Sequence, residues 1–199
     1  NVLSTAANQK EFSISSDYFI NADGVFDAFS QSSDKILKMT FPVMTADGAL
    51  FISKADVHFF EVLKAKVKSN IVKSVNVLVI LDDKTLLERA DVKKLLDFFS
   101  AECNYNCKIV YKSDFEIICD TNGVSSQYID FGIYGPKMLY ITEQYVPVHK
   151  GTYYKDETKI KHYQRLFDEV WYSDSIAFQN PSTNKNSVEL TELIGEMQK

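Results

Sequence analysis

The spacing of apolar and polar positions changes along the chain, and each change marks an element. Residues 75–81, Val-Asn-Val-Leu-Val-Ile-Leu, are apolar on both faces, the pattern of a central strand covered on two sides by helices. Before it, Val57, Phe60, Leu63, Ala65 and Val67 form a broad apolar helical face. With Ser53 and Asp56 spaced like a capping box, a helix is predicted from Ser53 to about Ser69. After the strand, the Asp82-Asp83 pair can cap a helix in which Val92, Leu95, Leu96 and Phe99 follow the i, i+3, i+4, i+7 rule, ending near Glu102. Residues 108–111 and 115–119 read as the next strands. The succession strand, helix, strand, helix, strand predicts an α/β fold with a central mixed, largely parallel sheet flanked by helices.

On either side of this centre the pattern is less regular. Residues 36–42 form a short apolar run ending at Pro42, and after the turn signal Asp47-Gly48 a second run covers 49–53, so two strands around a turn are expected. Phe26 and Phe29 fit one face of a short helix in an opening segment rich in Ser, Asn and Asp. Beyond a Gly- and Ser-containing connection at 121–127, residues 129–133 and 138–142 read as late strands at the sheet edge or in a hairpin. A helix starting at Asp156 or Thr158 carries Ile160, Tyr163, Phe167, Val170 and Trp171 on one stripe, which must dock on the sheet. The expected organisation is a helical or irregular lead-in over 1–34, one α/β core domain over 35–178, and a polar linker with the start of a C-terminal helix over 179–199.

Composition narrows the class of function. With 199 residues and 45% hydrophobic content the chain can bury one sizeable core. The formal net charge of −5 supplies no overall positive field, so nucleic acid is not expected as the main partner. No apolar run reaches the roughly 20 residues needed to cross a bilayer, and no membrane span or signal peptide is read. Cys103, Cys107 and Cys119 are odd in number and lack a CxxC pair, which predicts reduced, structural thiols and a cytoplasmic setting. Cys103 and Cys107 would need further ligands to hold a metal, and the three histidines are scattered, so neither metal nor cofactor is expected. The first residue is Asn1, which points to an excised or processed chain.

Candidate chemistry is sparse. There is no G-x-S-x-G elbow, no H-E-x-x-H and no Gly-rich phosphate loop. His58 lies in a predicted helix beside two phenylalanines and reads as a packed histidine, while His162 lies on the polar part of the last helix. His149, in a loop, is the histidine placed to touch a ligand. Asp120 follows one predicted strand and Asp130 precedes another, where α/β sheets set their binding crevices, although carboxylates at such positions more often cap turns through Asx hydrogen bonds. The aromatic series Tyr128, Phe131, Tyr134, Tyr140, Tyr145, Tyr153 and Tyr154 is the most unusual feature. It suits either a wall around a small organic ligand or partner, or a sheet edge with its hydroxyls in water.

The order of elements resembles half of a phospholipase D-like fold over residues 34–174. The likeness rests on the helix with Lys64, Lys66 and Lys68, strand 75–81, the helix to Phe99, the two runs 108–111 and 115–119, and the late Phe167-x-x-x-Trp171 helix. Active members of that superfamily carry H-x-K with a downstream Asp. Residues 111–120 contain no His and His149-Lys150 lacks the intervening residue, so the resemblance implies a degenerate, non-catalytic member. The expected function is a sensory or regulatory domain that binds a small molecule or partner protein through Asp120, Asp130, Tyr134, Tyr140 and His149, signals to an attached domain, and can pair as a homodimer. The alternative is a divergent phosphodiesterase or nuclease using His149 with Asp120 or Asp130, which requires hydrogen-bonding reach of about 2.6 to 3.2 Å. A third reading, a purely structural interaction module, predicts an exposed apolar patch and no pocket.

Overall fold

The computed structural model describes residues 11–15, 26, 29, 32–46, 49–52, 54–101, 105–144 and 150–173. Its strands are β1 (Glu11–Ser15), β2 (Ile36–Pro42), β3 (Met44–Ala46), β4 (Ala49–Phe51), β5 (Ser74–Leu81), β6 (Tyr105–Tyr111), β7 (Phe131–Tyr134), β8 (Met138–Gln144) and β9 (Lys150–Tyr154). The helices are α1 (Lys54–Lys68), α2 (Ala90–Ala101), α3 (Lys112–Thr121) and α4 (Glu157–Tyr172). Seven strands make one mixed sheet in the order β1-β9-β8-β7-β2-β5-β6, with β2, β5 and β6 parallel and the remaining pairs antiparallel. The α/β class and a mixed central sheet, both expected from the sequence, are present, but the sheet is not largely parallel, since two of its six strand pairings are parallel and four are antiparallel. Among the described residues no helix is long and apolar enough to cross a membrane.

β5 explains why its sequence is apolar throughout. Val75, Val77, Val79 and Leu81 join a core cluster with α1 and α2 on one face of the sheet, while Leu78 and Ile80 join a second cluster with α3 and α4 on the other. Phe26 and Phe29, both helical, are buried in the first cluster, where Phe26 stacks on Phe59 of α1. α4 buries Ile160, Tyr163, Leu166, Phe167, Val170 and Trp171, and is started by Asp156, whose carboxylate accepts from the Lys159 amide at 2.9 Å. Two sheet lysines also hold it. Lys38 of β2 reaches Asp168 at 2.7 Å, and Lys108 of β6 donates to the Trp171 carbonyl.

Four further expectations are corrected. Residues 115–119 are helical, part of α3, because Phe115 and Cys119 are buried one turn apart against the second core while Ile117 is 65% exposed. A strand would have put all three on one face. Asp83 does act as a cap, accepting from the Thr85 amide, but of a short 3-10 turn at Lys84–Glu88, and α2 starts afresh at Ala90. The hairpin around residues 47–48 joins β3 to β4 in a separate two-stranded sheet, whereas β2 enters the main sheet. Residues 11–15 and 150–154, not expected as strands, pair with each other along one side of the sheet.

The β3–β4 hairpin is tied to α2 through Asp91. Its carboxylate accepts from the Leu50 amide at 3.1 Å and from Arg89 Nε at 3.0 Å, with the Val92 amide at 2.9 Å. The Arg89 hydrogen bond, outweighing the cost of burial, holds the Asp91 carboxyl down to about 2. A carboxyl lowered on folding stabilises the fold above the ordinary carboxylate range and loses that contribution as pH falls through its folded value. Asp91→Asn is therefore expected to lower stability at neutral pH, on the order of 1 kcal/mol. Urea denaturation of the two proteins should show this difference shrinking between about pH 4 and pH 2.

Candidate functional site

The site starts from a break in the sheet ladder. β2 and β7 pair antiparallel only at Leu37 with Tyr134, Lys38 with Ile133 and Met39 with Gly132. At the next residue a side chain replaces backbone pairing. The fully buried Thr40 hydroxyl accepts from the Phe131 amide at 2.8 Å and donates to the Ile129 carbonyl at 2.6 Å. This seam is also where the path of the chain across the sheet reverses. From β2 the chain passes through α1 to β5 on one side, and after β6 and α3 it returns as β7 on the other. In open α/β sheets such a switch point, at the carboxyl ends of the parallel strands, is where binding crevices form.

A cleft of about 50 Å³ lies there on the α1 face. β2 contributes Met39, Phe41 and Pro42, α1 contributes Asp56, Phe59 and Phe60, Asp130 comes from the link before β7, and Gly132 and Tyr134 come from β7 itself. Tyr140 and Thr142 of β8 complete the wall. This exceeds the roughly 10–15 Å³ that a cavity needs to hold a water. Among the described residues, no Lys, Arg, His or Cys lines it.

Three of the tyrosines are interior groups rather than a wet edge. Tyr134, Tyr140 and Tyr153 are all buried, with the Tyr140 and Tyr153 rings 4.7 Å apart. Tyr134 and Tyr153 share a side-chain hydrogen bond, and so do Tyr140 and Thr142. Burial, then the charge of Asp130, pushes the pKa of the Tyr134 and Tyr140 hydroxyls well above the ordinary phenol value, and Asp56 adds to the effect at Tyr140. Both phenols therefore stay protonated at physiological pH. Gly151, next to this network, is small for a steric reason: a Cβ there would sit 2.2 Å from the Tyr140 hydroxyl oxygen.

A second, wider cleft of about 530 Å³ lies past the end of β2, between Pro42–Thr45, Ile80, Asp82, the start of α3 at Lys112 and Glu116, and Ser126, Gln127 and Ile129. Pro42 and Met44 line both clefts. Lys112 is its one lysine among the described lining residues, 3.5 Å from Asp82.

Of the five residues singled out in the sequence, Asp130, Tyr134 and Tyr140 converge on the smaller cleft. Asp120 does not, since the segment read as a strand is α3 and Asp120 is exposed near that helix's end, outside both clefts. His149 lies outside the described residues, as do Cys103 and Tyr145. His58 Nε2 is buried with no hydrogen-bond partner among the described residues, and His162 stands beside Tyr163 on α4. Cys107 and Cys119 are buried thiols whose ionisation burial pushes up to about 12, so neither is a nucleophile at neutral pH. No group of three or more His, Cys, Asp or Glu that could hold a metal occurs among the described residues.

Sequence reasoning missed Asp56 and Thr142 as cleft residues. The available signal for Asp56 was topological, because the first turn of the crossover helix that follows β2 must stand over the carboxyl end of the sheet. Thr142 carried no comparable signal.

No family model matches the sequence, and no curated protein matches it. Solved structures similar to the chain include Nuc from Salmonella typhimurium, described as a phospholipase D family member, at 10% identity, covering 85% of this chain and 97% of that one with a TM-score of 0.49. NucT from Helicobacter pylori is similar at 11% identity over 82% of this chain and 96% of that one, with a TM-score of 0.48. TrmBL2, described as an archaeal chromatin protein with a novel mode of DNA binding, is similar at 11% identity over 90% of this chain and 59% of that one, with a TM-score of 0.43. A phospholipase D family member is thus among the structures this chain is similar to, as the order of its elements led us to expect.

Proposed function

We propose that this chain is a non-catalytic ligand-binding domain that holds a small molecule in the cleft at the β2–β7 seam and passes its occupancy to an attached domain or partner. The observation that carries the reading is the convergence of Asp130, Tyr134 and Tyr140, from the link before β7, from β7 and from β8, on one aromatic-walled cleft with Asp56 and Thr142. Such a cleft offers hydroxyl donors and carboxylate acceptors around an apolar floor, which suits recognition. It offers no nucleophile paired with a base among its described residues. A screen of small metabolites by thermal midpoint tests this, because a ligand that binds only the folded state raises the midpoint by mass action. Tyr140→Phe should weaken the hit about tenfold, the cost of roughly one hydrogen bond to the ligand network. A hit unaffected by Tyr140→Phe and Asp130→Asn would place binding elsewhere.

The second reading, a phosphodiesterase of the phospholipase D-like class, looks to the wider cleft beside the seam, where Lys112 is the one lysine among the described lining residues, paired with Asp82 and accompanied by Glu116. With Asp120 outside both clefts, this reading relies on His149 with Asp130. Hydrolysis of bis-p-nitrophenyl phosphate by the purified chain, abolished by His149→Ala, would establish it. Absence of that activity, together with a saturable ligand, supports the binding domain.

A further inference from the structure

The link before β7 bears on how a ligand reaches the seam cleft, an inference that rests on the binding reading above. We propose that residues 125–130 form a strap that separates the two clefts and gates entry to the smaller one, opening by release of the Thr40 bridge while the rest of the sheet stays paired. The lining residues place the strap there. Ser126, Gln127 and Ile129 line the wider cleft, Asp130 lines the smaller one, and Pro42 and Met44 line both. The two spaces are neighbours, with this segment between them.

The strap hangs between two anchors. At its start, Val124 is buried in the core cluster of Phe115 and Cys119, and its amide donates to the Cys119 carbonyl at 2.9 Å. At its end, the Thr40 hydroxyl holds the Ile129 carbonyl and the Phe131 amide, and the Thr142 amide donates to the Asp130 carbonyl at 2.9 Å. On the β2 side, one hydroxyl takes over where the backbone pairs end at Met39 with Gly132. Between the anchors, Ser125 and Gln127 are exposed around the 3-10 turn at Ser126–Tyr128. An exposed segment held by a side chain in place of a ladder opens at lower cost than the strands it joins. Size supplies the need for it to open. The smaller cleft, about 50 Å³, is well below the roughly 300–1,000 Å³ of pockets that enclose small organic ligands, whereas the wider one, about 530 Å³, lies inside that range. With the strap displaced, the tyrosine wall joins the larger space, and a ligand collected there can reach Tyr134 and Tyr140.

The test is amide hydrogen exchange of the full chain, without ligand, over a series of urea concentrations below the unfolding transition. Val77 and Val79 of β5, paired on both sides, supply the reference. Protection at Phe131 and Thr142 should be at least about tenfold lower than at these valines and nearly independent of urea, since a local opening exposes little surface. Ile133 and Leu139, paired with each other farther along β7 and β8, should keep the protection of β5. Thr40→Val should lower protection at Phe131 and Thr142 about tenfold further, relative to β5 in the same sample, the loss of roughly one hydrogen bond. The unsubstituted chain decides the matter even if this variant fails to fold. Phe131 and Thr142 protected as strongly as β5, with the same urea dependence, would overturn the gate. So would Ile133 and Leu139 exchanging as fast as Phe131 and Thr142, because the whole hairpin would then be fraying. Neither result touches the binding reading, which fails separately if the thermal screen yields no hit.

Discussion

Thr40→Val is expected to destabilise the fold by about 2–4 kcal/mol although it hardly changes side-chain volume. The substitution leaves the Phe131 amide, in a buried hydrogen bond, without its acceptor and the Ile129 carbonyl, in a part-buried one, without its donor. Each buried polar group left unpaired costs about 1–3 kcal/mol. Thr40→Ser keeps the hydroxyl and loses one methyl, so it should cost only about 1 kcal/mol. Urea denaturation compares the three proteins, and a lowered midpoint with an unchanged slope would show a loss of stability with no change in the surface exposed on unfolding. Because this hydroxyl holds the start of β7 against β2, ligand binding in the cleft should weaken with stability in the valine variant and survive in the serine variant. A valine variant as stable as the parent would mean that the seam is not held by this bridge.

Gly151→Ala is expected to cost about 3 kcal/mol, since the new Cβ would lie 2.2 Å from the Tyr140 oxygen and 2.4 Å from a ring carbon. The Tyr140 ring is packed on Tyr153 and cannot yield by a small rotation, so either the ring leaves its place or β9 moves off β8. The two substitutions should therefore couple. Tyr140→Ala alone costs about 3–5 kcal/mol by loss of a large buried ring. In the Gly151→Ala background its cost should be smaller, because it removes the clash. A double-mutant cycle measures this, and costs that simply add would show that the two sites do not touch. Either single change should also abolish recognition in the cleft, since Tyr140 forms part of its wall.

Much of the central architecture is legible in the sequence because burial on both sides leaves an unmistakable trace. β5 is apolar at nearly every position, and the α4 stripe repeats at helical spacing, so both elements follow from pattern alone. Where two periods fit the same short run, pattern fails. Phe115, Ile117 and Cys119 alternate like a strand, yet Phe115 and Cys119 are also one helical turn apart, and only the exposure of Ile117 separates the two. β9, Lys-Gly-Thr-Tyr-Tyr, has little local strand signal, and its conformation comes from pairing with β8 on one side and β1 on the other. The site was half visible for the same reason. Unusual tyrosines at Tyr134 and Tyr140 stand out in any reading, whereas Asp56 has a sufficient local role in the first turn of a helix, and its place over the sheet end depends on the crossover.

The most direct test of the binding reading is to record which backbone amides move when the chain is titrated with the best compound from the thermal screen. Shifts confined to Gly132, Tyr134, Tyr140 and Thr142, saturating with the same affinity as the midpoint change, are the expected result. Shifts at Lys112, Ser126 and Gln127 with those four unmoved would contradict it and move the functional site to the wider cleft.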